Sequence, residues 1–227
     1  MDQIEQFQRH DLVWLSDQAW SDIFSRQTQN SEGLQRWQHE EWPAVVLRRD
    51  AEAADDEVCI GFDLSLTDGR KPYIFARTRV EYIIEHQSSL SLSTVIPVAP
   101  VVWQTALREL NLEATAAGVR LRVYGALALQ FLTGLNYLNT NSRIDILFRP
   151  QYHKHLVAGL NLLQRYREHM PLDGEVIFPC GQAVSWKEWL LSDSVPDAAQ
   201  DQLVLVKDMY QARLLPKHVL TDSLHET

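Results

Sequence analysis

The stretch VYGALALQFLTGLNYLNTNSRIDILFRP, Val123 to Pro150, decides the fold. It continues a run in which Val119, Leu121 and Val123 alternate with Arg120 and Arg122, the period-two pattern of a half-buried strand. "ALALQFLTGL" then has helix-forming composition, and "SRIDILF" returns to β character with Ile144, Ile146 and Phe148 on one face. Further on, "QYHKHLVAGLNLLQRYREH" predicts a second helix, with Leu156, Leu160 and Leu163 among its apolar positions. "LDGEVIFPCGQAVSWKEW" predicts a β-hairpin, because Pro179 fixes the second residue of a type I turn and Gly181 takes the left-handed position that follows. Strand, helix, strand, helix, hairpin is the order of an α+β domain.

Upstream of that stretch, Pro97 and Pro100 permit a helix only after Pro100. Val101, Val102, Leu107 and Leu110 give it an apolar side, and Gly118 is its expected terminator. "RVEYIIEH" places Val80, Ile83 and Ile84 at helical spacing and predicts a helix after a "TDGRK" turn. "WPAVVLRRD" and "VCIGFDLSL" read as strands on either side of "DAEAADDEV". The five carboxylates of that short stretch predict an exposed acidic hairpin tip. The division between domains is expected near residues 90 to 100, giving a smaller N-terminal α/β domain over residues 1–95 and a second domain over 96–227.

A chain of 227 residues with 45% hydrophobic residues buries a real core. No apolar run approaches the ~18 to 20 residues of a membrane span. The N-terminus "MDQIEQFQRHDLVWL" is acidic and polar where a signal peptide is basic and then apolar, so the expected compartment is the cytoplasm. The formal net charge of -9 argues against nucleic-acid binding, which needs a basic face. The charge is uneven, however. Between Ala116 and Glu168 seven basic residues stand against Asp145 and Glu168, a net +5 around the very stretch that sets the fold. Such an island suits a small polyphosphate or an acidic protein partner, although Arg165 and Arg167 also fit a solvated helix face.

The chain resembles the malonate decarboxylase-specific holo-acyl-carrier-protein synthases, also called phosphoribosyl-dephospho-CoA transferases. The resemblance covers nearly the whole chain. It is carried by "RHDLVWL", "WPAVVLRR", "TRVEYI", "YGALALQFLTGLNYL", "SRIDILF", "LDGEVIFPCGQAVSWKEW" and "VLVKD". It implies a nucleotidyltransferase (polymerase-β-like) fold, in which a strand ending in Gly-Ser, a short helix and a strand bearing Asp-x-Asp outline the active site. Two aspartates two apart on a strand share a face and hold Mg²⁺ ions, which align an attacking hydroxyl with a phosphate. The implied reaction moves the phosphoribosyl-dephospho-CoA unit of triphosphoribosyl-dephospho-CoA onto a serine of the acyl carrier subunit of malonate decarboxylase and releases pyrophosphate.

The sequence departs from that pattern at two places. Ala126 stands where the turn serine is expected, and Arg143 stands where the first aspartate is expected. The resemblance leaves Asp145 as the Mg²⁺ ligand and Gly125 with Ala126 as the phosphate turn. Asp173 or Glu175 is expected to assist the metal or to deprotonate the carrier serine, unless they merely shape the hairpin. Arg143 is expected to contact a phosphate directly. Arg48, Arg49 and Arg77 are candidates for ligand or carrier contacts, although paired arginines at a strand end also keep an edge soluble. An inactive paralogue that binds the CoA-like donor or the carrier protein is the alternative function.

Other features carry less. His153 and His155, two apart on a helix, point to different sides and do not make a metal site. Cys59 and Cys180 cannot form a metal framework alone, and Cys180 has no identifiable base. Trp14, Trp42 and Trp186 are read as core or interface residues.

Overall fold

The computed structural model describes residues 6–27, 30–64, 72–192 and 202–226. They fall into two units, Met1–Ser89 and Leu90–Thr227. The division precedes the expected 95/96 junction because Leu90 and Ser91 pair with the strand that runs into Gly125. Both units mix helices with a sheet, and the fold is α+β.

The first unit contains β1 (Leu12–Leu15), α1 (Asp17–Arg26), α2 (Ser31–His39), β2 (Ala44–Val46), β3 (Glu57–Asp63), β4 (Tyr73–Arg79) and β5 (Ile83–Gln87). The sheet order is β4-β3-β2-β1-β5, and every pairing is antiparallel. Ser16 caps α1 through its hydroxyl, and the helices bury Trp20, Ile23, Leu34 and Trp37. Trp20 and Trp37 both meet the ring of Phe62, at 5.3 and 5.8 Å between centroids.

The helix expected over "RVEYIIEH" is a correction. Val80–Tyr82 make one 3-10 turn and Ile83–Gln87 form β5, paired with β1. Two adjacent β-branched isoleucines favour extended backbone, and pairing with β1 outweighs the coincidental helical spacing. The "TDGRK" turn lies outside the described residues.

The acidic stretch between β2 and β3 is not a run of unpaired charge. Arg77 pairs with Asp50 and Glu52 at 2.9 and 3.0 Å, Arg49 with Asp55 at 3.7 Å, Arg79 with Asp56 at 3.6 Å and Arg26 with Glu57 at 3.7 Å. Arg49 also donates to the carbonyls of Ala53, Ala54 and Glu57, so it ties the loop to its own strand.

The second unit contains β6 (Leu90–Ser91), α3 (Leu92–Val95), α4 (Val101–Ala116), β7 (Leu121–Tyr124), α5 (Gly125–Thr133), β8 (Ile144–Phe148), α6 (His153–Tyr166), β9 (Leu172–Ile177), β10 (Ala183–Ser185), α7 (Trp186–Ser192), β11 (Leu203–Lys207), β12 (Ala212–Pro216) and α8 (Lys217–Thr221). Its sheet order is β12-β11-β10-β9-β8-β7-β6. Only β8 and β9 run parallel, with α6 as the crossover. One face of this sheet carries Leu121, Val123, Ile144, Ile146, Phe148, Val176, Val184, Val204 and Val206 into a core shared with Leu107, Leu110, Leu156, Leu160 and Leu163.

Helix α4 begins after Pro100 as expected, with Gly118 just past its cap at φ +72°. Its expected apolar side is corrected at one end, since Val101 and Val102 are each 82% exposed. The buried stripe runs through Leu107, Leu110 and Ala114. Its continuation four residues back falls on Trp103, so the two valines lie off the stripe. Arg165 pairs with Glu113 and stacks on Tyr166, an ordinary solvated helix-face role. Trp186 is fully buried, whereas Trp14 and Trp42 are partly so.

Candidate active site

Alternation on the central strands determines what the second face of the C-terminal sheet carries. Because Ile144, Ile146 and Phe148 point into the core, Asp145 and Leu147 point the other way. The parallel register sets Asp145 opposite Asp173 and Leu147 opposite Glu175. The antiparallel register on the other side sets Tyr124 opposite Asp145. Asp145, Asp173 and Glu175 therefore lie on one face of two neighbouring strands, beside a small apolar patch of Leu147, Ile177 and Ala183.

The chain turns from β7 into α5 directly over Asp145. Gly125 sits at φ +69°, and a Cβ there would lie 2.3 Å from Asp145 Oδ2. Glycine is required twice over, by the left-handed backbone and by the approach to the carboxylate. The N-terminus of α5, with its free backbone N–H groups, thus begins at the edge of the carboxylate row. Ala126 in its first turn is half-buried and supplies no hydroxyl.

Three basic side chains enter the same row. Arg143 donates to Asp173 Oδ2 at 2.5 Å, and Lys187 reaches the same oxygen at 3.2 Å. Lys207 meets Glu175 Oε1 at 3.0 Å. Glu175 is 4% exposed, so this pair is withdrawn from solvent on the carboxylate side. Burial pushes the Asp173 carboxyl up, but hydrogen bonds from Arg143 and the Gly174 amide, together with the Lys187 charge, outweigh it and leave it below the ordinary carboxylate value.

Asp145 is different. No side chain among the described residues hydrogen-bonds to it or pairs with it, and it is half-buried. Desolvation and the neighbouring Asp173 charge push its carboxyl up to about 6, against the opposing pull of Arg143 and Lys187. A half-buried carboxylate with its proton affinity raised toward neutrality, beside a helix N-terminus and several cations, is suited to taking a proton next to an anionic ligand.

Sequence reasoning named Gly125, Ala126, Arg143, Asp145, Asp173 and Glu175, and the structure brings all six to this sheet face or its turn. Arg49 and Arg77 belong to the N-terminal unit, where their guanidiniums are engaged by the acidic loop, and Arg48 there is exposed. Lys187 and Lys207 were missed. A signal for Lys207 exists, because it shares the period-two face of Leu203 and Leu205 opposite buried Val204 and Val206. Lys187 lies just beyond β10, at the start of α7, where no strand periodicity applies.

Fold and site together define an α+β protein with a half-buried carboxyl set among cations. Comparison with known proteins gives the family. Residues 91–218 match the phosphoribosyl-dephospho-CoA transferase MdcG C-terminal domain, and residues 8–87 match its N-terminal domain. A relative from Xanthomonas campestris pv. campestris is 37% identical over 215 residues, covering 93% of this chain and 95% of its own. One from Xanthomonas axonopodis pv. citri is 35% identical over 215 residues, covering 93% and 95%. One from Bradyrhizobium diazoefficiens is 31% identical over 219 residues, covering 92% and 90%. All three are named phosphoribosyl-dephospho-CoA transferase. No solved structure matches the chain. The chain belongs to the phosphoribosyl-dephospho-CoA transferase family, a family of transferases. Among the described residues, no helix is long and apolar enough to cross a membrane.

Proposed function

We propose that this protein transfers the phosphoribosyl-dephospho-CoA unit from triphosphoribosyl-dephospho-CoA to a serine of the acyl carrier subunit of malonate decarboxylase, acting in the cytoplasm through a nucleotidyltransferase-like C-terminal domain. The observation that carries the reading is Asp145, the one carboxylate of the row without a cation partner among the described residues, placed against the Gly125 turn. In this mechanism the carrier serine oxygen attacks the phosphorus of the triphosphate nearest the ribose. Asp145 accepts the serine proton, the P–O bond to the outer two phosphates breaks, and pyrophosphate leaves as the phosphodiester forms. The N–H groups opening α5 face the departing charge without obstruction from a side chain at Gly125.

The Mg²⁺ expected at Asp145 fits the side chains poorly. Asp173 already carries two cations on one oxygen, and Glu175 carries Lys207. Among the described residues no group of three His, Cys, Asp or Glu side chains is arranged to hold a metal ion. Asp145 is the one carboxylate of the row left for a Mg²⁺ among the described residues, and an ion there would rest largely on substrate phosphates and water, so no step is routed through it.

The test is transfer followed by mass spectrometry, with purified protein, triphosphoribosyl-dephospho-CoA and the apo carrier subunit. The expected result is a carrier heavier by one phosphoribosyl-dephospho-CoA unit, and no such product with Asp145→Ala. Donor or carrier binding without any mass gain would instead assign the chain the role of a binding paralogue, which the neutralised Asp173 and Glu175 also accommodate.

A further inference from the structure

The three cations of the carboxylate row arrive from three separate elements. Arg143 immediately precedes β8, Lys187 opens α7 and Lys207 ends β11. Each is anchored by a carboxylate, yet the side chains of Arg143, Lys187 and Lys207 remain 64%, 32% and 38% exposed. A guanidinium has five N–H donors and an ammonium three, so the anchoring contacts leave donors available on every one. Arg143 and Lys187 also share a single oxygen of Asp173, so this one carboxylate holds two cations.

We propose that Arg143, Lys187 and Lys207 form a polyphosphate clamp in which protein cations take the place of a resident divalent metal. The identification of the bound group as the pyrophosphate portion of the donor rests on the transfer reading above. Asp173 and Glu175 are positioning residues in this arrangement, holding the cations in place before the ligand arrives. A divalent ion entering without an anion meets Asp173 and Glu175 already paired with cations and finds Asp145 alone. A polyphosphate meets fixed donors of the opposite sign, with the N-terminus of α5 at the same edge.

The experiment titrates the full-length protein with inorganic pyrophosphate and tripolyphosphate by calorimetry, once in excess EDTA and once in Mg²⁺. Binding of free Mn²⁺ is measured separately by electron paramagnetic resonance. The clamp predicts EDTA-resistant binding with affinity within about twofold of that in Mg²⁺, and a loss of about tenfold for Arg143→Ala or Lys187→Ala. Lys187→Arg should retain binding. Arg143 is the most exposed of the three, and an unchanged circular-dichroism melt for its variant separates lost binding from lost folding. Binding that requires Mg²⁺, a tight Mn²⁺ site in the anion-free protein, or indifference to both alanine variants would overturn the proposal. Pyrophosphate binding in EDTA with no transfer to the carrier keeps the clamp and removes the transfer reading. Transfer that stops in EDTA does the reverse.

Discussion

Asp145 concentrates the energetics of the site in one side chain. Its carboxyl is raised from the ordinary 3.8 to about 6, first by burial and then by the charge of Asp173. The folded state therefore holds this proton more tightly than the unfolded chain does, and stability falls as pH rises between those two values. Asp145→Asn carries no charge at any pH. It should melt higher than the parent protein at about pH 8 and lose that advantage near about pH 4, read by thermal denaturation at both values. A variant that melts lower at the alkaline end would show that the ionised carboxylate has a partner. In the proposed mechanism the same titration governs transfer, because Asp145 accepts a proton only when ionised. The kcat/KM of transfer should rise through pH about 6 and then level off, and an unchanged profile across that range would remove Asp145 as the base. Gly125→Ala places a Cβ 2.3 Å from Asp145 Oδ2 on a left-handed backbone. It should cost about 2 kcal/mol of stability and abolish transfer, measured by denaturant titration and the carrier-mass assay.

At the scale of elements, the parallel pair β8–β9 does the assembling. A shift of β8 by one residue would turn Asp145 into the apolar core and carry Ile144 and Ile146 out of it, so burial fixes the register. Gly174 makes the close pairing physically possible. It sits at φ +126°, and a Cβ there would come within 1.9 Å of the Ile146 carbonyl oxygen. Gly174→Ala should therefore destabilise the fold by about 4 kcal/mol or more, read as loss of soluble protein or a collapse of the denaturation midpoint. The arginine-laced loop between β2 and β3 behaves differently. Arg77 bridges Asp50 and Glu52, so Arg77→Ala should lower the melting temperature more in low salt than in high salt. Pyrophosphate affinity should stay unchanged, because Arg77, on β4, is engaged by the acidic loop between β2 and β3. β5 shows why an element can be misread. Val80, Ile83 and Ile84 satisfy a helical period over eight residues, but a segment so short is assigned by the strand it pairs with.

For the whole molecule, the division at Ser89/Leu90 separates two sheets with their own strand order. The C-terminal unit encloses a continuous core from Leu92 to Leu224, so a fragment spanning residues 90–227 should fold by itself with one cooperative thermal transition. A fragment lacking a transition would show that its core is completed by the N-terminal unit. The sequence by itself determined the strand, turn, helix and strand around Gly125, the helices after Pro100 and Pro150, the family, and the hairpin expected over Leu172–Trp189 as far as Ser185, beyond which Trp186 opens α7. These are local or periodic properties, in which each residue's neighbours along the chain decide its direction. Only the tertiary structure decided which charges meet. Arg143 precedes Asp173 by thirty positions in sequence and Lys207 follows Glu175 by thirty-two, separations at which the chain carries no record of a contact. Strand register brought these pairs together, engaged Arg49 and Arg77 elsewhere, and left Asp145 as the carboxylate of the row with no cation partner among the described residues. The physical reason is that ion pairing depends on distance through space, and distance is set by packing of the apolar faces rather than by the charged residues themselves.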